Sequence, residues 1–232
     1  MKLRPPPWMI LFDIDGTLLD TGGLGCEAFR RGLARATGEA DDLAYVSFAG
    51  NTDRNVLAQV MEVRGLRFDE VIVRQIFAFV AEELQGLLAT GPAREIAGAR
   101  DLVASLAGAG ATLGLVTGNI RACAYLKLES IRLDGYFGFG GFGDDHAQRD
   151  KIARAAIDAA QGAGLAASPG RICLIGDTPF DVAAGRALGI PVLGVASGNY
   201  TKSDLLAAGA ERVAADFQDK DRWLEWLEQT MP

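Results

Sequence analysis

The sequence has little histidine and cysteine, with one histidine and three cysteines in 232 residues. A Ser-His-Asp or Cys-His hydrolase would have to use His146, yet the chain has neither a G-x-S-x-G segment nor a flanked cysteine to accompany it. Cys26, Cys123 and Cys173 are far apart and form no C-x-x-C pair, which argues against a disulfide framework or a zinc site. These absences exclude several common hydrolytic chemistries.

Long apolar runs and an excess of positive charge are also missing. No run approaches the roughly 20 residues that a membrane span needs. Acidic residues interrupt the N-terminal run and no small-residue cleavage site follows it, so we expect no signal peptide and a cytoplasmic location. A net charge of −7 disfavours nucleic-acid binding, which needs clustered Lys and Arg. We expect a small-molecule partner, no nucleic acid, no membrane, and a monomer or homodimer.

Four short apolar runs have the length and the Gly or Asp boundaries of buried strands. They cover residues 8–14, 111–118, 171–177 and 190–196. Near-continuous hydrophobicity favours a parallel sheet covered on both faces, and helical patterns lie between the runs. The alternation predicts a doubly wound, Rossmann-like α/β core with right-handed crossovers.

The segment between the first two strands breaks this alternation. From about residue 23 to residue 91 the sequence has helical periodicity and no credible buried strand. We predict a helical cap over residues 22–94, inserted into a core formed by residues 1–21 and 95–232. The glycines of both connections, residues 21–23 and 90–98, and the proline of the second would suit a hinge. The alternative is that these helices pack on the sheet as part of one domain.

Polar residues follow the predicted strands where a parallel sheet binds its ligands, beyond the carboxyl ends of the strands. The first run delivers Asp13 and Asp15, and the second is followed by Thr117, Gly118 and Asn119. The third places Asp177 at the strand tip and Asp181 one helical turn further on. Arg149 and Lys151 lie at the head of the preceding helix.

Carboxylates with hydroxyls and a cation, but without histidine or cysteine, form a hard-oxygen environment suited to Mg²⁺. Such a site favours a phosphoryl group as its partner, since metal and cation would neutralise its oxygens while a carboxylate attacks. Each motif alone also fits an ordinary turn or helix start. The prediction depends on their shared placement at strand ends.

With FDIDGTL, LVTGN and IGDTPFDVAAGRALG at these strand ends, the chain resembles the haloacid dehalogenase-like hydrolases over almost its whole length. The likeness is to helical-capped phosphatases such as the phosphoglycolate phosphatase-like proteins. This chain departs from the family pattern at the third motif, where the family normally has a lysine. Here Arg149 aligns with it and Lys151 is the alternative; an arginine would still supply a fixed charge and a bidentate fork for phosphate.

The resemblance implies a role for each carboxylate. Asp13 would be the nucleophile and a Mg²⁺ ligand. Asp15 would protonate the leaving alcohol, activate the water and bind the metal through its carbonyl. Asp177 would bind the metal, and Asp181 would hold the metal ligands in position without binding the metal itself. The expected enzyme is a Mg²⁺-dependent phosphatase that hydrolyses a small phosphorylated metabolite, a phosphate monoester, through an aspartyl-phosphate intermediate.

The remaining candidates would hold the substrate. The family pattern implies that the phosphoryl oxygens are bound by Thr117, Gly118, Asn119 and Arg149. A cap loop over residues 48–55 would face the site, which makes Asn51, Thr52 and Arg54 candidates for substrate selectivity. The alternative is a helix start with Asn51 or Thr52 as its N-cap.

Four other functions are alternatives to the phosphatase. Dehalogenating relatives lack an acid at the position of Asp15, and phosphonate-cleaving relatives need a cap lysine, which residues 22–94 do not contain. A phosphomutase of the beta-phosphoglucomutase type keeps the same core residues. A non-catalytic phosphate-sensing module is the remaining alternative.

Overall fold

Six parallel strands form the central sheet of the computed structural model, which describes residues 8–91, 93–165 and 167–231. The strands in chain order are β1 (Met9–Phe12), β2 (Leu19–Asp20), β3 (Arg94–Glu95), β4 (Thr112–Val116), β5 (Gly140–Gly141), β6 (Ile172–Gly176), β7 (Val192–Val195) and β8 (Arg212–Ala214), of which β2 and β3 lie outside this sheet. The sheet order is β5-β4-β1-β6-β7-β8. Phe12 pairs with Leu115 on β4 and Ile175 on β6, so these three strands end at the same edge.

Helices flank this sheet and fill the predicted cap segment. They are α1 (Leu24–Thr37), α2 (Asp53–Val63), α3 (Glu70–Thr90), α4 (Ala99–Gly108), α5 (Arg121–Ser130), α6 (Arg149–Gly162), α7 (Pro179–Leu188), α8 (Lys202–Ala208) and α9 (Lys220–Thr230). Across the described ranges, none of them is long and apolar enough for a membrane crossing. The doubly wound α/β prediction is confirmed.

Both faces of the sheet are buried, which explains the unbroken apolar runs. On β1, Ile10 and Phe12 join one apolar cluster, whereas Met9 and Leu11 join the cluster on the opposite face. The four predicted runs contain β1, β4, β6 and β7, each strand being shorter than its run. The two outer strands β5 and β8 were not predicted, because glycines carry no apolar pattern and three residues are too few to show one.

The chain enters and leaves the segment of α1, α2 and α3 through a two-stranded antiparallel ribbon. Leu19 pairs with Glu95, and Asp20 pairs with Arg94, whose guanidinium lies 2.7 Å from the Asp20 carboxylate. This ribbon supports the proposed cap of residues 22–94. The cap helices belong to the same apolar cluster as Phe12, so they are packed against the core in this structure.

Candidate active site

Asp13 and Asp15 follow β1 and lie at the edge where β1, β4 and β6 end. The Asp13 amide continues the ladder by donating to the Ile175 carbonyl at 3.0 Å, and its side chain is buried. The turn at Gly16 has a φ of 75°, and a Cβ there would overlap the Asp177 carboxylate. The glycine therefore allows the β1 turn and the end of β6 to approach each other.

Three buried carboxylates converge at this edge. Asp13, Asp177 and Asp181 each offer an oxygen, and these oxygens lie within 4.8 Å of one another. Asp181 also forms a capping box at the start of α7, where the Thr178 hydroxyl donates to its Oδ2 at 2.7 Å. Thr17 donates to the Asp177 Oδ1 at 3.2 Å. Asp181 is thus fixed by the helix start behind the other two carboxylates.

Arg149 supplies a buried positive charge to this cluster. Its Nη2 lies 2.6 Å from an oxygen of Asp13 and 2.6 Å from an oxygen of Asp181. The Asp181 contact is a charge contact rather than a well-directed hydrogen bond, because no N–H is aimed at that oxygen. Lys151 is exposed on the same helix. Of the two candidate cations, the structure places Arg149 against Asp13.

Burial perturbs the carboxylates strongly. It raises the pKa of Asp13 to about 6, although the Arg149 charge lowers it in part. Burial, followed by the charges of Asp13 and Asp181, raises the pKa of Asp177 to about 8. Three carboxylates thus share one guanidinium, and the cluster is short of positive charge. An all-oxygen donor set with such a deficit fits a hard divalent cation such as Mg²⁺.

A second group of polar residues follows β4. Thr117 and Asn119 are buried, and the Asn119 amide donates to Asp15 at 2.7 Å and to the Thr117 hydroxyl at 2.8 Å. Gly118 lies between them, at the base of the cap. The structure therefore brings the predicted phosphate-binding residues of this loop next to Asp15.

Lys127 completes this group and was missed by the sequence analysis. Its Nζ lies 2.6 Å and 2.8 Å from the two Asp15 oxygens and 2.6 Å from the Asn119 Oδ1. Burial lowers its pKa, but the Asp15 charge and hydrogen bond outweigh burial and the net shift is upward. One signal could have revealed it: in α5 the lysine falls on the stripe of buried residues Cys123, Ala124 and Leu128.

A cavity of about 370 Å³ lies above these side chains. Its floor consists of strand-end residues and both buried cations, Asp13, Asp15, Thr117, Gly118, Asn119, Lys127, Arg149 and Asp177. Its roof includes apolar cap residues, Phe29, Phe48, Val80 and Leu84. A polar floor beneath an apolar roof suits a small ligand with one strongly charged end.

Comparison with known proteins identifies the family. A family model described as haloacid dehalogenase-like hydrolase matches residues 10–195. The chain belongs to the haloacid dehalogenase-like hydrolases. The predicted family and hydrolase class are therefore confirmed.

Relatives of this hydrolase include named phosphatases. A phosphoglycolate phosphatase from Cupriavidus necator is 31% identical over 224 residues, covering 92% of this chain and 91% of that protein. One from Agrobacterium fabrum is 28% identical over 222 residues, with 94% and 92% covered. A hydrolase structure from Pseudomonas syringae superimposes with a TM-score of 0.71 at 21% identity, covering 94% of this chain and 98% of that one. The structural match shows the fold.

The three cap residues predicted to set selectivity lie in different surroundings. Asn51 lines the cavity of the hydrolase, whereas Thr52 and Arg54 are not part of the described lining. Thr52 is the N-cap of α2, as the alternative prediction held, and its hydroxyl donates to the Ala147 carbonyl at 3.1 Å. The Arg54 guanidinium pairs with Glu70 and donates to the Asp144 carbonyl at 3.0 Å. The loop therefore lines the cavity as expected, with Asn51 in its wall, whereas core carbonyls engage Thr52 and Arg54; the role of all three in selectivity stays a prediction.

The start of α2 is docked on the loops after β4 and β5. The Asp53 amide donates to the Gly118 carbonyl at 2.8 Å, and the Arg54 amide donates to the Gly143 carbonyl at 3.0 Å. The Asp53 carboxylate in turn accepts from the Ile120 amide at 2.8 Å. A Cβ at Gly118 would overlap the Asn51 carbonyl. The cap therefore contacts the same loop that carries Thr117 and Asn119.

Proposed function

We propose that this hydrolase is a Mg²⁺-dependent phosphatase that acts on a small organic phosphate monoester through an aspartyl-phosphate on Asp13. The observation that carries the proposal is the cluster of Asp13, Asp177 and Asp181 around the single guanidinium of Arg149. A buried nucleophile with a cation at hydrogen-bonding distance is the arrangement that in-line phosphoryl transfer requires.

In the first step, an oxygen of Asp13 attacks phosphorus and the bond from phosphorus to the ester oxygen breaks. Asp15 donates a proton to that oxygen, so the product leaves as an alcohol. Arg149, Thr117 and Asn119 would orient and neutralise the phosphoryl oxygens. The chain then carries a phosphoryl group on Asp13 and an ionised Asp15.

In the second step, water attacks phosphorus while Asp15 takes its proton. The bond between Asp13 and phosphorus breaks and inorganic phosphate leaves, which restores the ionised Asp13 and the protonated Asp15. Asp13, Asp177 and the Asp15 carbonyl would hold Mg²⁺, with Asp181 fixing the cluster from behind. When bound, the ion supplies positive charge to phosphoryl oxygens.

The substrate is proposed to be small. A cavity of about 370 Å³ lies at the lower end of the range for metabolite sites. Several relatives are named phosphoglycolate phosphatase, so phosphoglycolate is the first ester to test. Solved structures named putative beta-phosphoglucomutase, such as the one from Thermotoga maritima at 22% identity, bear on the fold alone.

A panel of phosphate esters with the purified protein and Mg²⁺ tests the proposal. The panel should include phosphoglycolate, sugar phosphates and p-nitrophenyl phosphate. We expect stoichiometric release of inorganic phosphate from at least one ester. An isomerised ester in place of free phosphate would indicate the phosphomutase, and no turnover of any member would favour a phosphate-sensing module.

A further inference from the structure

Lys127 pairs with Asp15, whereas Arg149 pairs with Asp13 and Asp181, and Lys127 contacts neither Asp13 nor Asp177 at ion-pair distance. Its side chain is 4% exposed, whereas that of its partner Asp15 is 41% exposed. Burying an ammonium group is unfavourable unless partners compensate for lost water. Here the partners are a carboxylate and an amide that both belong to the proposed phosphoryl-transfer site.

The Asp15 carboxylate depends on this contact for its position. Asp15 stands on the turn after β1, and its carboxylate accepts hydrogen bonds from Lys127 and Asn119 in the part of the chain that the structure describes. Both oxygens face the Lys127 ammonium. Without the lysine, a partly exposed carboxylate would keep only the Asn119 bond and would gain rotational freedom.

Lys127 also fixes the orientation of the Asn119 amide. A lysine ammonium only donates, so it must face the amide oxygen rather than the amide nitrogen. The Asn119 nitrogen is then directed to Asp15 and to the Thr117 hydroxyl. The three side chains of Lys127, Asn119 and Asp15 form a closed triangle in which each contacts the other two.

We propose that Lys127 is a positioning residue that, with Asn119, holds Asp15 against the oxygen leaving phosphorus. This inference depends on the proposed phosphatase function. Lys127 itself neither gains nor loses a proton: the proton moves from Asp15 to the ester oxygen as the phosphorus–oxygen bond breaks. Arg149 serves the nucleophile and Lys127 serves the proton donor.

The test compares leaving groups in Lys127→Met. The two probes are p-nitrophenyl phosphate and the alkyl phosphate with the highest kcat/KM in the ester panel. A nitrophenolate departs without a proton, whereas an alkoxide needs one. Because Asp15 also activates water in the second step, which is common to both esters, the comparison uses kcat/KM, which covers only the steps up to departure of the leaving group. We expect kcat/KM to fall about 100-fold with the alkyl ester, in the range of general-acid catalysis, and by less than about 5-fold with p-nitrophenyl phosphate.

Two variants control this comparison. Lys127→Arg keeps the charge and should return much of the alkyl-ester turnover. Lys151→Met makes the same change at an exposed lysine and should leave both esters unaffected. If Lys127→Met does not fold, Lys127→Gln, which keeps a donor but loses the charge, should show the same selective loss to a smaller degree.

Equal losses of kcat/KM with both esters would overturn the inference, because a lysine that only stabilises the fold cannot discriminate between leaving groups. Unchanged turnover with both esters would overturn it as well. Failure of the wild-type protein with every ester is a different result: it would overturn the proposed phosphatase itself, and this inference with it.

Discussion

The floor and the roof of the cavity differ in how their side chains are held. On the floor, charged residues such as Asp13, after β1, and Arg149, at the start of α6, are buried and paired with one another although they are far apart in the sequence. On the roof, Phe29 and Phe48 pack edge to face with ring centroids 5.5 Å apart. The cap reaches the floor through hydrogen bonds to backbone carbonyls after β4 and β5.

This difference assigns separate tasks to the two regions. A floor of fixed charges can stabilise charge that develops at phosphorus, and such electrostatic pre-organisation acts on kcat. An apolar roof contacts the non-reacting part of a substrate and acts on affinity. We therefore expect floor substitutions to lower kcat and roof substitutions to change KM. Substitutions where the start of α2 contacts the loop after β4 should disturb docking of the cap.

The largest effect is expected from Asp13→Asn on the floor. Removing the nucleophile should lower kcat on the order of 10⁴-fold or more. Because burial raises the pKa of Asp13 to about 6, its ionised form disfavours the metal-free fold above that pH. The variant should therefore unfold at the same or a higher temperature than wild type at pH 8, measured by circular dichroism. Retained turnover would refute the assignment of Asp13.

Gly118→Ala should separate the roof from the floor. The added Cβ overlaps the Asn51 carbonyl, so the start of α2 cannot dock as it does here. Overpacking of this kind costs about 1–3 kcal/mol, and we expect faster proteolysis between the cap and the core together with lower kcat/KM. Gly135→Ala is the matched control, since a Cβ there meets no neighbour within 4 Å. Equal proteolysis of the two variants would contradict the docking described here.

The charge deficit of the floor predicts a pH-dependent response to Mg²⁺. The pKa values of Asp13 and Asp177 are raised to about 6 and about 8, so the metal-free fold loses stability as pH rises from about 4 through 8. Mg²⁺ competes with the protons on these carboxylates. Addition of Mg²⁺ should raise Tm more at pH 8.5 than at pH 5.5, and Asp177→Asn should lose most of this difference. A larger Mg²⁺-induced rise in Tm at pH 5.5 than at pH 8.5 would contradict the shortage of positive charge on the floor.

The smallest effect is expected from Phe48→Leu in the roof. The change removes the aromatic contact to Phe29 but no charge. We expect KM for the preferred ester to change a few-fold while kcat stays nearly constant. Tyr136→Leu, at an exposed aromatic residue, is the control. A loss confined to kcat would show that roof and floor do not divide binding and chemistry in this way.

The floor was largely predictable from the sequence because its residues directly follow apolar strands. Asp13 and Asp177 come immediately after β1 and β6, and parallel strands bring their ends to one edge. Lys127 was not predicted, because its partner Asp15 lies 112 residues away and meets it only when α5 packs against the β1 turn. A lysine in a helix commonly extends to solvent, and its place on the apolar stripe of α5 was the one local sign of burial.

The contacts between roof and floor were the least predictable. The N-cap role of Thr52 is local and followed from its residue type. The position of Arg54 depends on the Asp144 carbonyl, 90 residues further along the chain, and backbone acceptors leave no trace in the sequence. The Asn51 carbonyl lies against Gly118, in space that a side chain at Gly118 would fill.

Chemical quenching during turnover tests the central claim most directly. Wild-type protein mixed with its preferred ester and Mg²⁺, then stopped with acid, should carry one phosphoryl group on the peptide that contains Asp13, detected by mass spectrometry. The group should appear before inorganic phosphate and disappear as the ester is consumed. Phosphate release with no labelled peptide, or with the label on another residue, would contradict covalent catalysis by Asp13.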